Sequence, residues 1–243
     1  MWLISNKIIV RESGLLQGLR DCHCHLLPGV DDGVKELDET IQILKEWELC
    51  GVKEVWLTPH IMEDIPNKPE ELREKLKTTT YEIEKNNNLK IGIHLAAEHM
   101  MDGLFIKRLE ENEVMPIGRD GDKLLVETSY YTPPMNMADI IERIKLKCYD
   151  PILAHPERYQ YMDKRDYKMW KQRGVLLQLN LPSLAGAYGP EVQWKAEWLL
   201  KEGMYDYCGT DTHSINQQDL FLNSVMSKKA VKKVIRISEQ QEL

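Results

Sequence analysis

Asp21-Cys22-His23-Cys24-His25 is the stretch of this chain richest in reactive chemistry. Side chains alternate across a β-strand with a period of two, so an Asp-x-His-x-His run in a strand puts its carboxylate and both imidazoles on one face. Groups so placed can share a metal ion, while Cys22 and Cys24 point the other way as packing. Further imidazoles and carboxylates follow at His60, Glu98, Glu127, His155, Asp211 and His213. This thiolate-free donor set suits manganese, iron or zinc, and its several carboxylates permit bridging between ions. It exceeds what one ion uses while leaving a position open for water, so at least two metals are expected.

Donors so far apart in sequence need a scaffold that gathers them. Strand-like runs are expected at residues 19–23, 53–57, 90–96, 123–127, 151–154, 175–180 and 205–209, each separated by a helix-like segment. Helical faces show in Leu37/Ile41/Leu44, in Leu72/Leu76/Ile83 after Pro69, in Ile140/Ile141/Ile144, and in the Trp194/Trp198/Leu199 stretch that stops before Gly203. A βα unit repeated seven times implies a parallel α/β sheet with right-handed crossovers, doubly wound or closed into a barrel. Almost every expected strand finishes in a metal-competent residue, and in parallel barrels that C-terminal rim is where distant residues converge. The first twenty residues and those after about Asp219 look like additions to this repeat.

With 243 residues, 42% of them hydrophobic, the chain can bury one large core, and a single domain over 1–243 is expected. No apolar run nears the roughly 20 residues needed to cross a bilayer, and the first ten residues lack a signal-peptide pattern. Five cysteines without a regular framework fit reduced thiols, so a cytoplasmic location without membrane insertion is expected. A formal net charge of −7 argues against nucleic acid as a partner.

Taken together, Asp21 to Gly33 (DCHCHLLPGVDDG), Leu57-Thr-Pro-His60, Ala97-Glu98, Val126-Glu127, Leu153-Ala-His155-Pro-Glu-Arg158-Tyr159, Asn180 to Gly186 (NLPSLAG) and Gly209-Thr-Asp211-Thr-His213 resemble the PHP (polymerase and histidinol phosphatase) family. Within it the chain is similar to the bacterial CpsB/CapC-type tyrosine-protein phosphatases of capsule and exopolysaccharide loci. The resemblance implies a distorted (β/α)7 TIM-like barrel holding three metals, Mn2+ first, with Fe or Zn as alternatives. It implies one ion on His23, His25, Glu98 and Asp211, a second on Glu98, Glu127 and His155, and a third on Asp32, His60 and His213. Asp32 is taken in preference to Asp31. The implied substrate is the tyrosine-rich tail of a partner autokinase. Two departures stand out: Ile61-Met62-Glu63 where many relatives carry a second histidine, and Ser214-Ile215-Asn216 where some carry an arginine.

Three dications on Glu98, Glu127, Asp211 and one of Asp31/Asp32 give roughly +6 against −4, a net positive basin suited to a phosphomonoester dianion. A water with lowered pKa could attack phosphorus in line, with no cysteine nucleophile. Arg158 is the natural planar clamp for phosphate oxygens, and His60 or His213 could assist as general acid. Blander readings stand beside these. Asp31 and Asp32 could form an Asx turn before Gly33, and Arg158 could pair with Glu157 or a helix acid. His94 and His99 are read as non-ligands, Tyr130, Tyr131 and Tyr159 either line the mouth or pack, and Lys228, Lys229, Lys232, Lys233 and Arg236 form a solvated basic face or dock an acidic partner. Competing functions are a small-molecule phosphatase of the histidinol-phosphate type, an amidohydrolase, and a non-catalytic phosphoprotein-binding module. An amidohydrolase often places a lysine where this chain has Glu127.

Overall fold

A computed structural model describes residues 6–86, 89–241 and 243. In chain order the elements begin with β1 (Lys7–Ile9), β2 (Arg20–Cys24), α1 (Leu37–Cys50), β3 (Glu54–Leu57), β4 (His60–Ile61) and α2 (Pro69–Asn86). They continue with β5 (Gly92–Leu95), β6 (Glu98–Met100), α3 (Gly103–Glu111), β7 (Lys123–Glu127), α4 (Met137–Leu146), β8 (Asp150–Ala154) and α5 (Lys164–Gln172). The last third holds β9 (Leu176–Asn180), α6 (Leu181–Leu184), α7 (Pro190–Glu202), β10 (Tyr207–Gly209), α8 (Ile215–Asn223), β11 (Val225–Ser227) and α9 (Lys228–Gln240). Among the described residues no helix is long and apolar enough to cross a membrane.

The fold is mixed α/β with a curled parallel sheet. Six strands run β10-β9-β8-β7-β6-β4, three run β2-β3-β5, and all neighbours in both sets are parallel. The two sets share chain: β3 passes into β4 across Thr58-Pro59, and β5 into β6 across Ala96-Ala97. Proline has no N–H to give a ladder, so Pro59 marks the break, while Thr58 N donates to Cys24 O at 2.8 Å and Ala96 N to Leu57 O at 2.9 Å. At the other margin the sheet curls until the end of β10 meets β2, where Asp211 N donates to His23 O at 2.7 Å and His25 N to Thr212 O at 2.9 Å. Gly209 is required for that approach, because a Cβ there would lie 2.7 Å from the His23 Cβ.

Two apolar layers hold the sheet. Outside it, Ile43, Leu44 and Trp47 of α1, Ile140, Ile141 and Ile144 of α4, and Leu199 and Leu200 of α7 pack on the strands with the i, i+3, i+4 spacing of buried helix faces. Inside it, Cys22, Trp56, Leu125, Ile152, Tyr207 and Leu243 fill the half nearest the strand N-termini. Leu243 and Gln241, whose Oε1 accepts from Cys208 N at 3.0 Å, make the C-terminal stretch a plug for this inner layer rather than an addition. The first stretch is tied in as well, because β1 pairs antiparallel with β11.

Two expectations are corrected. Strict alternation through β2 puts Cys22 and Cys24 on one face, yet the register passes from Asp21 opposite Val55 to Cys24 opposite Leu57, one residue too many for a regular pair. This bulge turns Cys22 into the inner layer and Cys24 into the outer one. In α7 the buried stripe is Lys195, Ala196, Leu199 and Leu200. Trp194 is 53% exposed, with the Lys164 ammonium 5.1 Å from its ring centroid, so the helix is rotated by about one residue from the expected Trp194/Trp198/Leu199 face.

Candidate metal centre

The strand breaks and the bulge have a common consequence: polar side chains from six strand ends meet in one place. His23 and His25 come from the end of β2, His60 opens β4, Glu98 opens β6, Glu127 closes β7, His155 follows β8, and Asp211 and His213 follow β10. His155 and Asp211 adopt left-handed backbone, with φ of 33° and 52°, conformations that L-residues hold only where their surroundings over-determine them. All of these side chains except His60 and His213 are essentially buried.

At the centre two imidazoles each face the same two carboxylate oxygens. His23 Nε2 lies 3.1 Å from His25 Nε2, 3.2 Å from Glu98 Oε2 and 3.4 Å from Asp211 Oδ1. His25 Nε2 lies 3.4 Å from both of those oxygens. His23 Nε2, His25 Nε2 and Asp211 Oδ1 make a triangle with edges of 3.1, 3.4 and 3.4 Å, whose corners an ion can reach at about 2.0 Å, the bond length of imidazole or carboxylate to a divalent first-row ion. Around this core, His155 Nε2 is 2.9 Å from Glu98 Oε1, His60 Nδ1 is 3.2 Å from Glu98 Oε2 and 3.1 Å from Glu127 Oε1, and Asp32 Oδ1 is 3.5 Å from both His60 Nε2 and His213 Nε2. Glu98 therefore presents its two oxygens to different histidines, the placement of a bridging carboxylate.

The residues fit a metal by a second criterion. His60 Nδ1, Glu98 Oε2 and His155 Nδ1 are buried without a hydrogen-bond partner among the described residues, an arrangement that is costly unless another group satisfies them. Four donor groupings within ligand distance emerge: His23/His25/Asp211, His23/Glu98/His155, His60/Glu98/Glu127 and His25/Asp32/His60/His213. The resemblance set Glu127 beside His155. Here its nearer imidazole is His60, with His155 Nε2 at 3.8 Å from Glu127 Oε2.

Three of the imidazoles are oriented through their other nitrogen. His23 Nδ1 donates to Gln178 Oε1 at 3.0 Å, His25 Nδ1 to Asp31 Oδ2 at 2.8 Å, and His213 Nδ1 to Asp211 O at 2.9 Å, so all three turn Nε2 toward the cluster. Asp31 also forms the Asx turn, accepting from Gly33 N at 2.9 Å, and it accepts from His60 N at 3.0 Å. The two adjacent acids thus divide: Asp31 holds His25, and Asp32, 64% exposed, faces His60 and His213. Burial opposes the charge on His23, yet Glu98 and Asp211 hold its pKa up to about 9.

Asp21 stands apart from this cluster, contrary to the alternation argument. Its carboxylate accepts from Thr210 N at 2.8 Å, Thr210 Oγ1 at 2.6 Å and His23 N at 3.2 Å, which pins β2 to β10 beneath the histidines. Burial lifts its pKa to about 6 against those donors. Gln178 escaped the sequence reading and Asn180 entered it only within a motif, with no role, although a glutamine within Leu-Leu-Gln-Leu-Asn interrupts an apolar strand and could have signalled the first. Asn180 Nδ2 donates to Asp211 Oδ2 and to the Tyr188 hydroxyl, both at 3.2 Å.

Arg158 pairs with neither Glu157 nor a helix acid. Its Nη1 donates to Asp211 Oδ2 at 2.7 Å, and its guanidinium lies 4.4 Å from the ring centroids of both Tyr130 and Tyr188. Burial opposes its charge, and Asp211 holds the charge on. Glu157 is instead buried against the Tyr205 hydroxyl at 2.9 Å and Asn180 N at 3.0 Å. Tyr159 is buried with its hydroxyl accepting from Thr128 N, while Tyr131 is exposed. His94 pairs with Glu54 at 2.9 Å, and His99 accepts from Met115 N with burial pushing its pKa to about 3. Burial raises the thiols of Cys22, Cys24 and Cys208, and Cys22 donates to Cys208 O at 3.2 Å. In the basic stretch, Lys233 Nζ donates to Leu200 O at 2.9 Å, the C-terminal turn of α7.

Fold and site together define an α/β protein with a candidate metal-binding cluster of His, Glu and Asp side chains at the ends of parallel strands. Comparison with known proteins narrows that class. Residues 19–237 match the family described as capsular polysaccharide synthesis, CpsB/CapC, and the chain belongs to that family. It is 24% identical to CapC of Staphylococcus aureus over 87% of this chain and 84% of that protein. It is 23% identical to the tyrosine-protein phosphatase YwqE of Bacillus subtilis (strain 168), over 82% of this chain and 79% of that one. A chain from the crystal structures of YwqE from Bacillus subtilis and CpsB from Streptococcus pneumoniae, which are metal-dependent tyrosine phosphatases, shares the fold. It aligns with a TM-score of 0.77 at 21% identity, covering 90% of this chain and 86% of that one.

Proposed function

We propose that this chain is a metal-dependent protein-tyrosine phosphatase. The observation that carries the reading is the convergence of His23, His25 and Asp211 within ligand distance, with Glu98 against the same two imidazoles and Arg158 joined to Asp211. Named relatives with tyrosine-phosphatase activity support it. The ions are Mn2+ in the first instance, with Fe or Zn as alternatives, and three in number. His23, His25, Glu98 and Asp211 would hold one, Glu98, Glu127 and His155 another, and Asp32, His60 and His213 the third. Seven strand segments, β2, β3/β4, β5/β6, β7, β8, β9 and β10, are read as the staves of one distorted (β/α)7 barrel of PHP type, a single domain over residues 1–243.

When bound, such ions supply Lewis acidity, lowering the pKa of water towards neutrality and neutralising a phosphate dianion. The chain's own residues do the rest. Arg158 is held flat between Tyr130 and Tyr188 and offers N–H donors to phosphate oxygens, an interaction that strengthens as charge spreads over them in the transition state. Water adds to phosphorus as the bond to the tyrosyl oxygen breaks, and the leaving oxygen takes its proton from solvent or from whichever of His60 and His213 is not committed to metal. Buried thiols with raised pKa make poor nucleophiles, which favours water over cysteine. The substrate is read as the tyrosine-rich tail of a capsule or exopolysaccharide autokinase, met in the cytoplasm.

The test is phosphate release from a phosphotyrosyl peptide and from histidinol phosphate, with manganese and after chelation. Strong manganese-dependent preference for the peptide is expected. Preference for histidinol phosphate would move the chain to the small-molecule class, and peptide binding without turnover would make it a binding module.

A further inference from the structure

Where α7 meets α9 the molecule carries a groove of about 490 Å³ that takes no part in the metal chemistry. α7 supplies Trp194, Trp198 and Leu200, and α9 supplies Ala230, so there is apolar surface on both sides. Lys233 ties the two helices together, its ammonium donating to Leu200 O at 2.9 Å and Lys201 O at 3.1 Å in the last turn of α7. Trp194 is more than half exposed, apolar surface that the fold itself leaves unused. The cations here are unspent as well. Lys164 sets its ammonium 5.1 Å and 5.0 Å from the ring centroids of Trp194 and Trp198, and Lys201 and Lys229 line the groove in exposed positions. Among the described residues none of these three ammonium groups has a carboxylate within ion-pair distance, whereas Arg73, Lys77, Arg143 and Lys171 elsewhere on the surface each do. The one carboxylate in the walls is Glu197, so positive charge prevails locally on a protein whose net charge is −7.

We propose that this groove docks a short, extended, acidic segment of a partner protein. An apolar side chain of the segment rests against Trp194 and Trp198, and its carboxylates meet Lys164, Lys201 and Lys229. Charge complementarity selects that occupant, because unpaired cations surround an aromatic anchor, the division into apolar centre and polar rim that peptide interfaces use. Nucleic acid fits less well, since its phosphates would approach a chain of net charge −7. A membrane fits less well too, since a flat lipid surface does not enter a cleft between two helices. A groove of this size makes a small, transient contact whose charged rim governs the rate of encounter. Lys195, the neighbour of Trp194, donates to Tyr159 O at 2.8 Å, so a segment docked here is held on the flank of the loop that carries Arg158.

The test titrates the full chain into a fluorescein-labelled peptide, Glu-Asp-Glu-Leu-Glu-Asp-Glu, and reads anisotropy, with saturating inorganic phosphate present to keep carboxylates off the candidate metal centre. Saturable binding that weakens as salt rises is expected. Trp194→Ala and the double variant Lys201→Glu/Lys229→Glu should each weaken it at least about tenfold. Lys75→Glu, at an exposed lysine of α2 outside the groove, should change it by less than about twofold. All four positions are exposed, so the thermal midpoints should match that of the unsubstituted chain. No saturable binding, undiminished binding in both groove variants, or an equal loss in Lys75→Glu overturns the proposal. Tighter binding of single-stranded DNA or of phosphatidylserine vesicles at the same residues overturns it in favour of those ligands. A change of oligomeric state in Trp194→Ala, read by light scattering, overturns it in favour of a second copy of this chain.

Discussion

The interior of the curled sheet has two halves that are equally buried and chemically opposite. Near the strand N-termini, Cys22, Trp56, Leu125, Ile152, Tyr207 and Leu243 make a dry plug. Near the C-termini, His23, His25, Glu98 and His155 are no more exposed, yet they are ionisable and gather at distances that ion pairs or a metal must compensate. Burial stabilises the first half, because apolar surface leaves water. In the second half the same burial opposes folding unless a cation compensates the gathered carboxylates and imidazoles. The difference teaches that packing sets where the donors stand and an ion makes their proximity tolerable. The bulge between Asp21 and Cys24 is where one regime passes into the other.

Substitutions can break or sharpen that contrast. The largest effect is expected from Glu98→Ala, which removes the carboxylate shared by the histidines: metal content should fall and phosphotyrosyl-peptide turnover drop by on the order of 10³-fold, read by elemental analysis and phosphate release. Arg158→Ala should cost about 10²-fold in kcat/KM with metal content unchanged, separating the clamp from the ligands. Gln178→Leu frees His23 Nδ1, and metal affinity is expected to weaken by about 10- to 100-fold in a competition titration with a chelator. Chelation of the intact protein should lower its thermal midpoint, corresponding to about 4 kcal/mol when free metal had been near a thousand times Kd. Trp56→Ala, in the dry half, should act on stability alone: about 3–5 kcal/mol by denaturant unfolding, with turnover per folded molecule within about twofold.

The alternation of strands and helices was legible because hydrophobic period and Gly/Pro punctuation are local properties, and β7 falls on the expected residues 123–127. The positions of His60, Glu98, Glu127, His155, Asp211 and His213 stood out for a related reason: an imidazole or carboxylate at or just after the end of an apolar run is visible without knowing what it meets. Three things were not. The bulge in β2 depends on how β2 pairs with β3, so period-two reasoning misplaced Asp21 and Cys24. The rotation of α7 depends on which of its residues pack inward, Lys195, Ala196, Leu199 and Leu200, with Trp194 left to Lys164 of another helix. The seal formed by Leu243 depends on a stretch distant in sequence returning to the strand N-termini. Each is a tertiary effect that overrides a local pattern.

Anomalous diffraction at the manganese edge from crystals grown with the metal tests the central claim most directly. A peak is expected about 2.0–2.2 Å from His23 Nε2, His25 Nε2 and Asp211 Oδ1 at once. A folded chain with those three atoms still gathered and no peak among them, or with manganese bound only elsewhere, would contradict the account.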